Sequence, residues 1–154
     1  MDLDFKNDKF RFNARVSAII YNKDKTKVLL FKVNDGRDFY MLPGGRIRFN
    51  EDSKSAIERE ILEEIGYKLS FNLCSIEENF LEKETGVIMQ YNFCYMSFYD
   101  GDIDNEKFDC LDNEGQSFYW FDLNKICDIK IFPNSAKENI FNDNKDVTHF
   151  INRV

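Results

Sequence analysis

The chain has 154 residues, of which 43% are hydrophobic and 16% aromatic, so it can fold around a core and need not be disordered. Its net charge of −7 argues against a general nucleic-acid-binding or membrane-surface protein, because such proteins carry basic patches. Four cysteines without a CxxC pair and a single histidine predict neither a zinc site nor a disulfide framework.

The first residues, MDLDFKNDKF, are charged and mixed, with no apolar run typical of a signal peptide. No segment of the sequence approaches the length of a membrane span. We therefore expect a cytoplasmic protein. The polar composition of residues 1–9 predicts a loose lead-in. The length of the chain and the absence of repeats, low-complexity tracts and linkers predict a single domain over residues 10–154.

Branched and aromatic residues predict strands ahead of the first glycine pair. FRFNARVSAIIY, residues 10–21, is expected to form a strand that pairs as a hairpin with residues 28–33. A turn at residues 34–37 then leads to a short strand at residues 39–42, which feeds the glycines.

A helix is predicted over residues 53–65. Asp52 or Ser53 can cap its start, and Gly66 is at the position where a left-handed residue usually ends a helix. The apolar face carries isoleucines four residues apart with a leucine beside them: Ile57, Ile61, Ile65 and Leu62. We expect this face to dock on the sheet.

Two long strands are predicted after the helix, at residues 67–80 and 87–99, and the acidic segment of residues 100–117 is expected to be a long loop. Short helices and a closing strand follow, at residues 122–128, 133–141 and 147–151. Strands, one central helix and late helices together predict a mixed α+β layer structure.

Three glutamates of the predicted helix, Glu60, Glu63 and Glu64, have the spacing i, i+3 and i+4, which places them on one side. Such like charges repel one another, and a hard divalent cation that takes oxygen ligands, Mg²⁺ above all, would compensate for the repulsion. A backbone carbonyl of the preceding Pro43-Gly44-Gly45 turn can complete the ligand set. Arg46 follows this turn, so we expect it to contact a phosphate.

The same residues resemble the signature of the Nudix hydrolase family. From Gly45 the sequence reads Gly, five residues, Glu51, seven residues and then REILEEIGY, which agrees with the fixed positions of the Nudix box. One soft departure is Tyr67, where the family usually has an aliphatic residue; this changes packing and not metal chemistry. The resemblance is close over residues 42–67 and only architectural elsewhere.

The resemblance implies a Nudix-type α/β/α sandwich with a mixed sheet, in which the catalytic helix follows the Gly-Gly turn. It implies hydrolysis of a phosphoanhydride in a nucleoside diphosphate linked to another group X, with Mg²⁺, or Mn²⁺ as a substitute, held by the Gly44 carbonyl and the three glutamates. It further implies that Arg59 orients the carboxylates, by pairing with Glu51. Arg15, on the first strand, would contact phosphate or ribose. Glu114 would supply one more carboxylate, for metal binding or water activation.

Several alternatives stay open. The general base can be Glu64 or Glu114. Group X is open because the auxiliary proline of ADP-ribose hydrolases and the tyrosine of dinucleoside polyphosphate hydrolases are not at their usual places after the box. The chain can also be a nucleotide-binding or regulatory module without turnover, or an RNA 5′-end pyrophosphohydrolase, which its acidic charge disfavours. Pairing of subunits as a homodimer is frequent in the family.

Overall fold

The computed structural model describes residues 1–143 and 145–154, and one mixed sheet forms its centre. The strands are β1 Asp4–Asn7, β2 Phe10–Asn22, β3 Lys27–Val33, β4 Gly44–Arg46, β5 Asn72–Lys83, β6 Gly86–Tyr99, β7 Lys107–Asp109, β8 Gln116–Asp122 and β9 Thr148–Arg153. The helices are α1 Ser53–Ile65 and α2 Ser135–Phe141, with a 3₁₀ helix at Leu123–Asp128. Within the described residues, no helix is both long and apolar enough to cross a membrane.

The sheet has nine strands, and seven of them follow the order β7-β8-β3-β2-β6-β5-β9. β2 is its organising strand, because β1 and β4 also pair with it. The pairs β2–β6 and β5–β9 are parallel, whereas β5 and β6 form a long antiparallel hairpin. The hairpin predicted between β2 and β3 is present and closes at Tyr21 and Val28.

Alternation along β2 divides the interior into two cores. Val16, Ala18 and Ile20 face α1 and pack with its buried isoleucines. Ile19 and Tyr21 face the opposite side, where they pack with the 3₁₀ helix and α2. Helices therefore cover both faces of a mixed sheet, and the predicted α+β sandwich is confirmed.

Helix α1 has the predicted bounds, because its capping signals are local. Asp52 accepts a hydrogen bond from the Ser55 backbone N–H at 2.8 Å, and Gly66 ends the helix with φ of 81°. The buried stripe consists of Ala56, Ile57, Ile61 and Ile65. Leu62, expected beside that stripe, is 52% exposed, so this part of the prediction is wrong.

Three segments form strands where the sequence did not predict them. Residues 1–9, expected to be a loose lead-in, contain β1, which pairs with β2 through Asp4–Asn13 to Asn7–Phe10. The glycine turn is itself a strand, β4, whereas residues 39–42 contribute only isolated bridges. The segment of residues 100–117 includes β7 and is therefore not wholly a loop.

Candidate functional site

The carboxylate of Glu60 lies directly over Gly45, where α1 crosses β4. A Cβ atom placed on Gly45 would be 2.2 Å from the Glu60 Cδ atom, far inside contact distance. Glycine at this position therefore makes room for the carboxylate. The side chain of Glu60 is only 14% exposed, so its charge depends on partners within the protein.

The carbonyl of Gly44 is directed away from β2. The neighbouring Pro43 carbonyl accepts a hydrogen bond from Ala18 of β2 at 2.8 Å, and carbonyls alternate in direction along a strand. The Gly44 carbonyl therefore projects on the same side as that of Arg46, which accepts from Arg59 of α1 at 3.1 Å. This placement suits the predicted backbone ligand.

Arg59 joins the start of the helix to its acidic face. Its guanidinium donates to both carboxylate oxygens of Glu51, with Nε to Oε2 at 2.7 Å and Nη2 to Oε1 at 2.9 Å. A third donor, Nη1, contacts Glu60 Oε1 at 2.8 Å. The bond from Arg59 holds the pKa of Glu51 below its usual value. The expected contact between Arg59 and Glu51 is thus present in the structure.

Glu63 is turned towards two arginines. Its Oε2 lies 3.4 Å from Arg59 Nη1, and its Oε1 lies 3.8 Å from Arg48 Nη2. The side chain of Glu63 is 39% exposed, compared with 14% for Glu60. Cationic neighbours relieve its repulsion with Glu60, and it does not converge with Glu60 and Glu64 here.

The carboxyl group of Glu64 is largely buried within the acidic face. Burial, a hydrogen bond with Glu60 and the charge of Glu60 raise the pKa of Glu64 to about 9. The charge of Asp112 acts in the same direction, while Arg15 opposes it. Glu64 therefore holds its proton more strongly than an exposed glutamate does, the usual result when a carboxyl group is buried beside another.

The segment that follows β7 reaches α1 at a different residue from the one predicted. Leu111 donates its backbone N–H to the Glu64 carbonyl at 2.9 Å, which brings Asp112 towards Glu64. Glu114 is exposed, beside Gly115 with φ of 80°. The structure thus brings Asp112, which the sequence did not single out, towards the acidic face, and the role expected of Glu114 stays a prediction.

Two arginines expected to bind substrate stand opposite each other, Arg15 on β2 and Arg46 on β4. Burial and the neighbouring Arg46 lower the pKa of Arg15, whereas Glu60 and Glu64 raise it, so Arg15 lies within range of both carboxylates. Arg46 Nε is buried and lies 3.3 Å from Asp4 Oδ2, but it makes no hydrogen bond within the described part of the chain. Asp4 also binds Arg11, with distances of 2.8 and 2.6 Å.

The donor set fits a divalent cation in part. Among residues 1–143 and 145–154, no three His, Cys, Asp or Glu side chains are grouped closely enough to hold a metal ion. Glu60 and Glu64 adjoin, however, and the Gly44 carbonyl projects to the same side of β4 as the Arg46 carbonyl, which accepts from Arg59 of α1. Oxygen donors of this kind suit Mg²⁺ or Mn²⁺. Glu63 would complete the set by turning away from Arg59, a rotation of an exposed side chain.

A cavity of about 110 Å³ lies on the opposite face of the sheet and shares Arg15 with this site. Its floor is polar and consists of Arg15, Ser17, Glu77, Asn79, Gln90 and Asn92. The sequence contained a signal for it, because Glu77 and Asn79 on β5, and Gln90 and Asn92 on β6, each differ by two positions and so share a face.

Comparison with known proteins agrees with the geometry. Residues 11–142 match the family model described as NUDIX domain. A dihydroneopterin triphosphate diphosphatase of Haemophilus influenzae is 25% identical over 145 residues, which covers 87% of this chain and 91% of that protein.

Two solved structures show the same fold at low sequence identity. The Escherichia coli dihydroneopterin triphosphate pyrophosphohydrolase has a TM-score of 0.67 with this chain at 18% identity. The alignment covers 82% of this chain and 91% of that one. A MutT protein from Bacillus halodurans has a TM-score of 0.64 with 15% identity, and the alignment covers 90% of each chain.

Proposed function

This chain belongs to the Nudix hydrolase family, and from that premise we propose that it cleaves a phosphoanhydride bond in a nucleoside diphosphate linked to another group X. The observation that carries the proposal is the buried pair of Glu60 and Glu64 beside Gly45, held by the Arg59 clamp. A binding scaffold has no need of a carboxyl group, Glu64, whose pKa is raised by burial beside a second carboxyl group. The single domain over residues 10–154 is part of the same proposal.

Mg²⁺, with Mn²⁺ as a substitute, would be held by Glu60, Glu63, Glu64 and the Gly44 carbonyl. When bound, such an ion neutralises phosphate charge and lowers the pKa of a coordinated water. Arg59 orients Glu60 through the contact at 2.8 Å, so it acts as a positioning residue. Its bidentate bond to Glu51 fixes the guanidinium against the start of α1.

The remaining side chains would bind the substrate and hold a proton. Arg15 and Arg46 offer guanidinium donors to the oxygens of a diphosphate, and the unbonded Nε of Arg46 supports this role. Glu64 is our candidate for the group that accepts a proton from the attacking water. The role predicted for Glu114 stays a prediction, and a Glu114→Gln variant tests it.

The substrate class is a nucleoside triphosphate or a related triphosphate. The relative from Haemophilus influenzae is named for dihydroneopterin triphosphate, which supports a triphosphate joined to a bicyclic heterocycle. The net charge of −7 supports a small anionic substrate that meets local cations, rather than an RNA chain. A cytoplasmic location and a homodimer complete the proposal.

An assay with Mg²⁺ or Mn²⁺ that measures released pyrophosphate, phosphate or sugar phosphate tests this function against nucleoside triphosphates, dihydroneopterin triphosphate and nucleotide sugars. We expect turnover of at least one compound, and a loss of about 100-fold or more in the Glu63→Gln and Glu64→Gln variants. Glu58→Gln, on the exposed side of α1, is the matched control. Folded protein that binds nucleotides without turnover would indicate a regulatory module, and release from triphosphorylated RNA would indicate 5′-end processing.

A further inference from the structure

Polar side chains form two adjoining rows across the centre of the sheet, on the face away from α1. In the first row Arg15 of β2, Asn92 of β6 and Glu77 of β5 are direct neighbours in the strand register. The second row consists of Asn13, Gln90, Asn79 and Asn152. Hydrogen bonds connect the side chains of these rows, so the centre of the sheet carries a continuous polar surface.

Glu77 is the carboxylate of this surface and lies in the same row as Arg15, on the other side of Asn92. It is 1% exposed, and no ion pair to it is found in the described part of the chain. Asn92 donates to Glu77 Oε2 at 3.3 Å and to Ser17 Oγ at 2.8 Å, which uses both of its amide protons. Burial raises the pKa of Glu77, while the amides of Asn92 and Asn79 oppose the shift. The carboxylate thus has capacity for further donors.

The cavity beside Glu77 also has an apolar lining. Met41, Leu42, Phe132 and Pro133 line it together with the polar side chains, and its volume is about 110 Å³. One buried water needs roughly 10–15 Å³, so the cavity is large enough for several atoms of a ligand. A lining that combines apolar side chains with hydrogen-bonding groups suits a planar heterocycle, which has apolar π-faces and polar edges.

The position of the cavity connects it with the acidic face. Arg15 lies at one end of the floor and interacts with Glu60 and Glu64. Glu77 is two strands away in the same row, which is roughly 10 Å at the usual spacing between strands. A ligand with phosphates near Arg15 would therefore place its ring near Glu77.

We propose that this cavity binds the ring of the substrate, and that Glu77 recognises the two adjacent N–H donors of a 2-amino-4-oxopyrimidine ring, the edge shared by guanine and the pterins. The inference rests on the function proposed above. A carboxylate accepts two parallel N–H bonds, whereas the corresponding edge of adenine has one donor and one acceptor. Gln90 donates one bond, to Asn13 Oδ1 at 2.9 Å, and its amide has a second proton for the oxo group.

Binding of GMP, IMP, AMP and neopterin to the metal-free protein, measured by calorimetry, tests the proposal without turnover. We expect GMP to bind at least about tenfold more tightly than AMP, because one charged hydrogen bond is worth that much. IMP, which lacks the 2-amino group, should fall between them. Tighter binding of neopterin than of GMP would assign the edge to a pterin, and the reverse order would assign it to guanine.

Glu77→Gln tests the residue itself. We expect this variant to reduce the preference for GMP over AMP to less than about threefold, since an amide can accept only one of the two donors. Glu78→Gln is the matched control, because Glu78 is the next residue of β5, points to the other face and pairs with His149 at 2.6 Å. Thermal unfolding of both variants reports whether they are folded.

Equal binding of GMP and AMP by the wild type, or an unchanged preference in folded Glu77→Gln, would overturn the proposal. If Glu77→Gln does not fold, the order GMP, IMP, AMP in the wild type decides alone. Failure of the proposed function has a different signature: selective binding of GMP or neopterin with no hydrolysis of any triphosphate. Hydrolysis of ATP and GTP at equal efficiency would leave that function intact and refute the role of Glu77.

Discussion

At the scale of single residues, the two glycines of β4 serve different purposes. Gly45→Ala would put a Cβ atom 2.2 Å from Glu60 Cδ, so we expect the carboxylate to be displaced and hydrolysis to fall by about 100-fold. The displaced atom belongs to a side chain, so the sheet should remain folded. Kinetics and thermal unfolding of the purified variant measure both effects.

Gly44→Ala is the contrasting variant. Its Cβ atom would be 2.0 Å from the Val16 backbone oxygen, and a strand backbone cannot move as a side chain can. We therefore expect a clear fall in melting temperature in addition to lost activity. If Gly45→Ala melted as low as Gly44→Ala, Glu60 would not be the main group that requires glycine at position 45.

Arg59→Lys tests the clamp. Lysine keeps the charge but cannot donate a planar pair of bonds, so the contacts to Glu51 at 2.7 and 2.9 Å cannot both be retained. We expect the free energy of unfolding to fall by about 1–3 kcal/mol and activity to fall with it, because Glu60 loses its orienting partner.

The control for the clamp is Arg37→Lys. Arg37 makes a similar paired contact, to Asp35 at 2.8 and 2.7 Å, but on the surface. Exposed pairs of this kind contribute little to stability, so little change is expected in urea unfolding. Equal losses in both variants would show that the buried position of Arg59 has no special effect.

Local spacing predicted the acidic face, whereas the loop that reaches it required the fold. Glu60 and Glu64 are one helical turn apart, so the sequence alone places them together. Asp112 approaches Glu64 because Leu111 bonds to the end of α1, a contact over 47 residues that has no local signal. Glu114 was chosen from the same segment by resemblance, and the turn at Gly115 leaves it exposed.

At the scale of elements, β1 and β4 show where periodicity fails. Edge strands have little apolar alternation, and glycine is rare in strands, so neither segment has a strand pattern. Both are strands because β2 offers them a partner. Helix α1 was predictable to the residue for the opposite reason, since its caps lie within the segment itself.

Asp4 explains why the polar edge strand β1 is ordered. It binds Arg11 through two bonds and lies 3.3 Å from Arg46, and the bond from Arg11 lowers the pKa of Asp4 below its ordinary value of 3.8. For Asp4→Asn we expect a loss of about 1 kcal/mol in stability at neutral pH. A lowered pKa contributes stability above the ordinary value, and this contribution is lost as the pH falls through the folded pKa.

The difference between wild type and Asp4→Asn should therefore narrow below about pH 4, which urea unfolding across a pH series would measure. Asp8→Asn is a suitable control, since Asp8 is an exposed turn residue between β1 and β2. A difference that stayed constant with pH would mean that the Asp4 side chain acts through its shape and not its charge.

At the scale of the whole molecule, the sheet separates two kinds of chemistry. The acidic face lies where α1 meets β4, and the amide-rich cavity lies on the α2 side, with Arg15 in range of both. The sequence predicted the layers because apolar residues alternate along β2. It did not predict that the polar positions of β5 and β6 share a cavity, because this depends on the register between the two strands.

Glu64 should make the stability of the whole protein depend on pH and on metal ions. Its pKa is raised to about 9 by burial and by Glu60, so the folded metal-free protein binds a proton that the unfolded chain releases above its ordinary value of 4.5. The contribution of Glu64 to the free energy of unfolding therefore decreases as the pH rises from about 4.5 towards 9. The slope from this one group is no steeper than about 1.4 kcal/mol per pH unit. Glu77, whose pKa burial also raises, adds a slope of the same sign.

We expect Mg²⁺ or Mn²⁺ to oppose this decrease, because binding favours the ionised carboxylates. The rise in melting temperature on adding the ion to protein stripped with EDTA should then be larger at pH 8 than at pH 5.5. In Glu64→Gln the slope in EDTA should be shallower and the effect of the ion small, while Glu77→Gln should keep the full response to the ion. An equal metal-induced rise at both pH values would mean that the ion does not bind at the Glu60 and Glu64 pair.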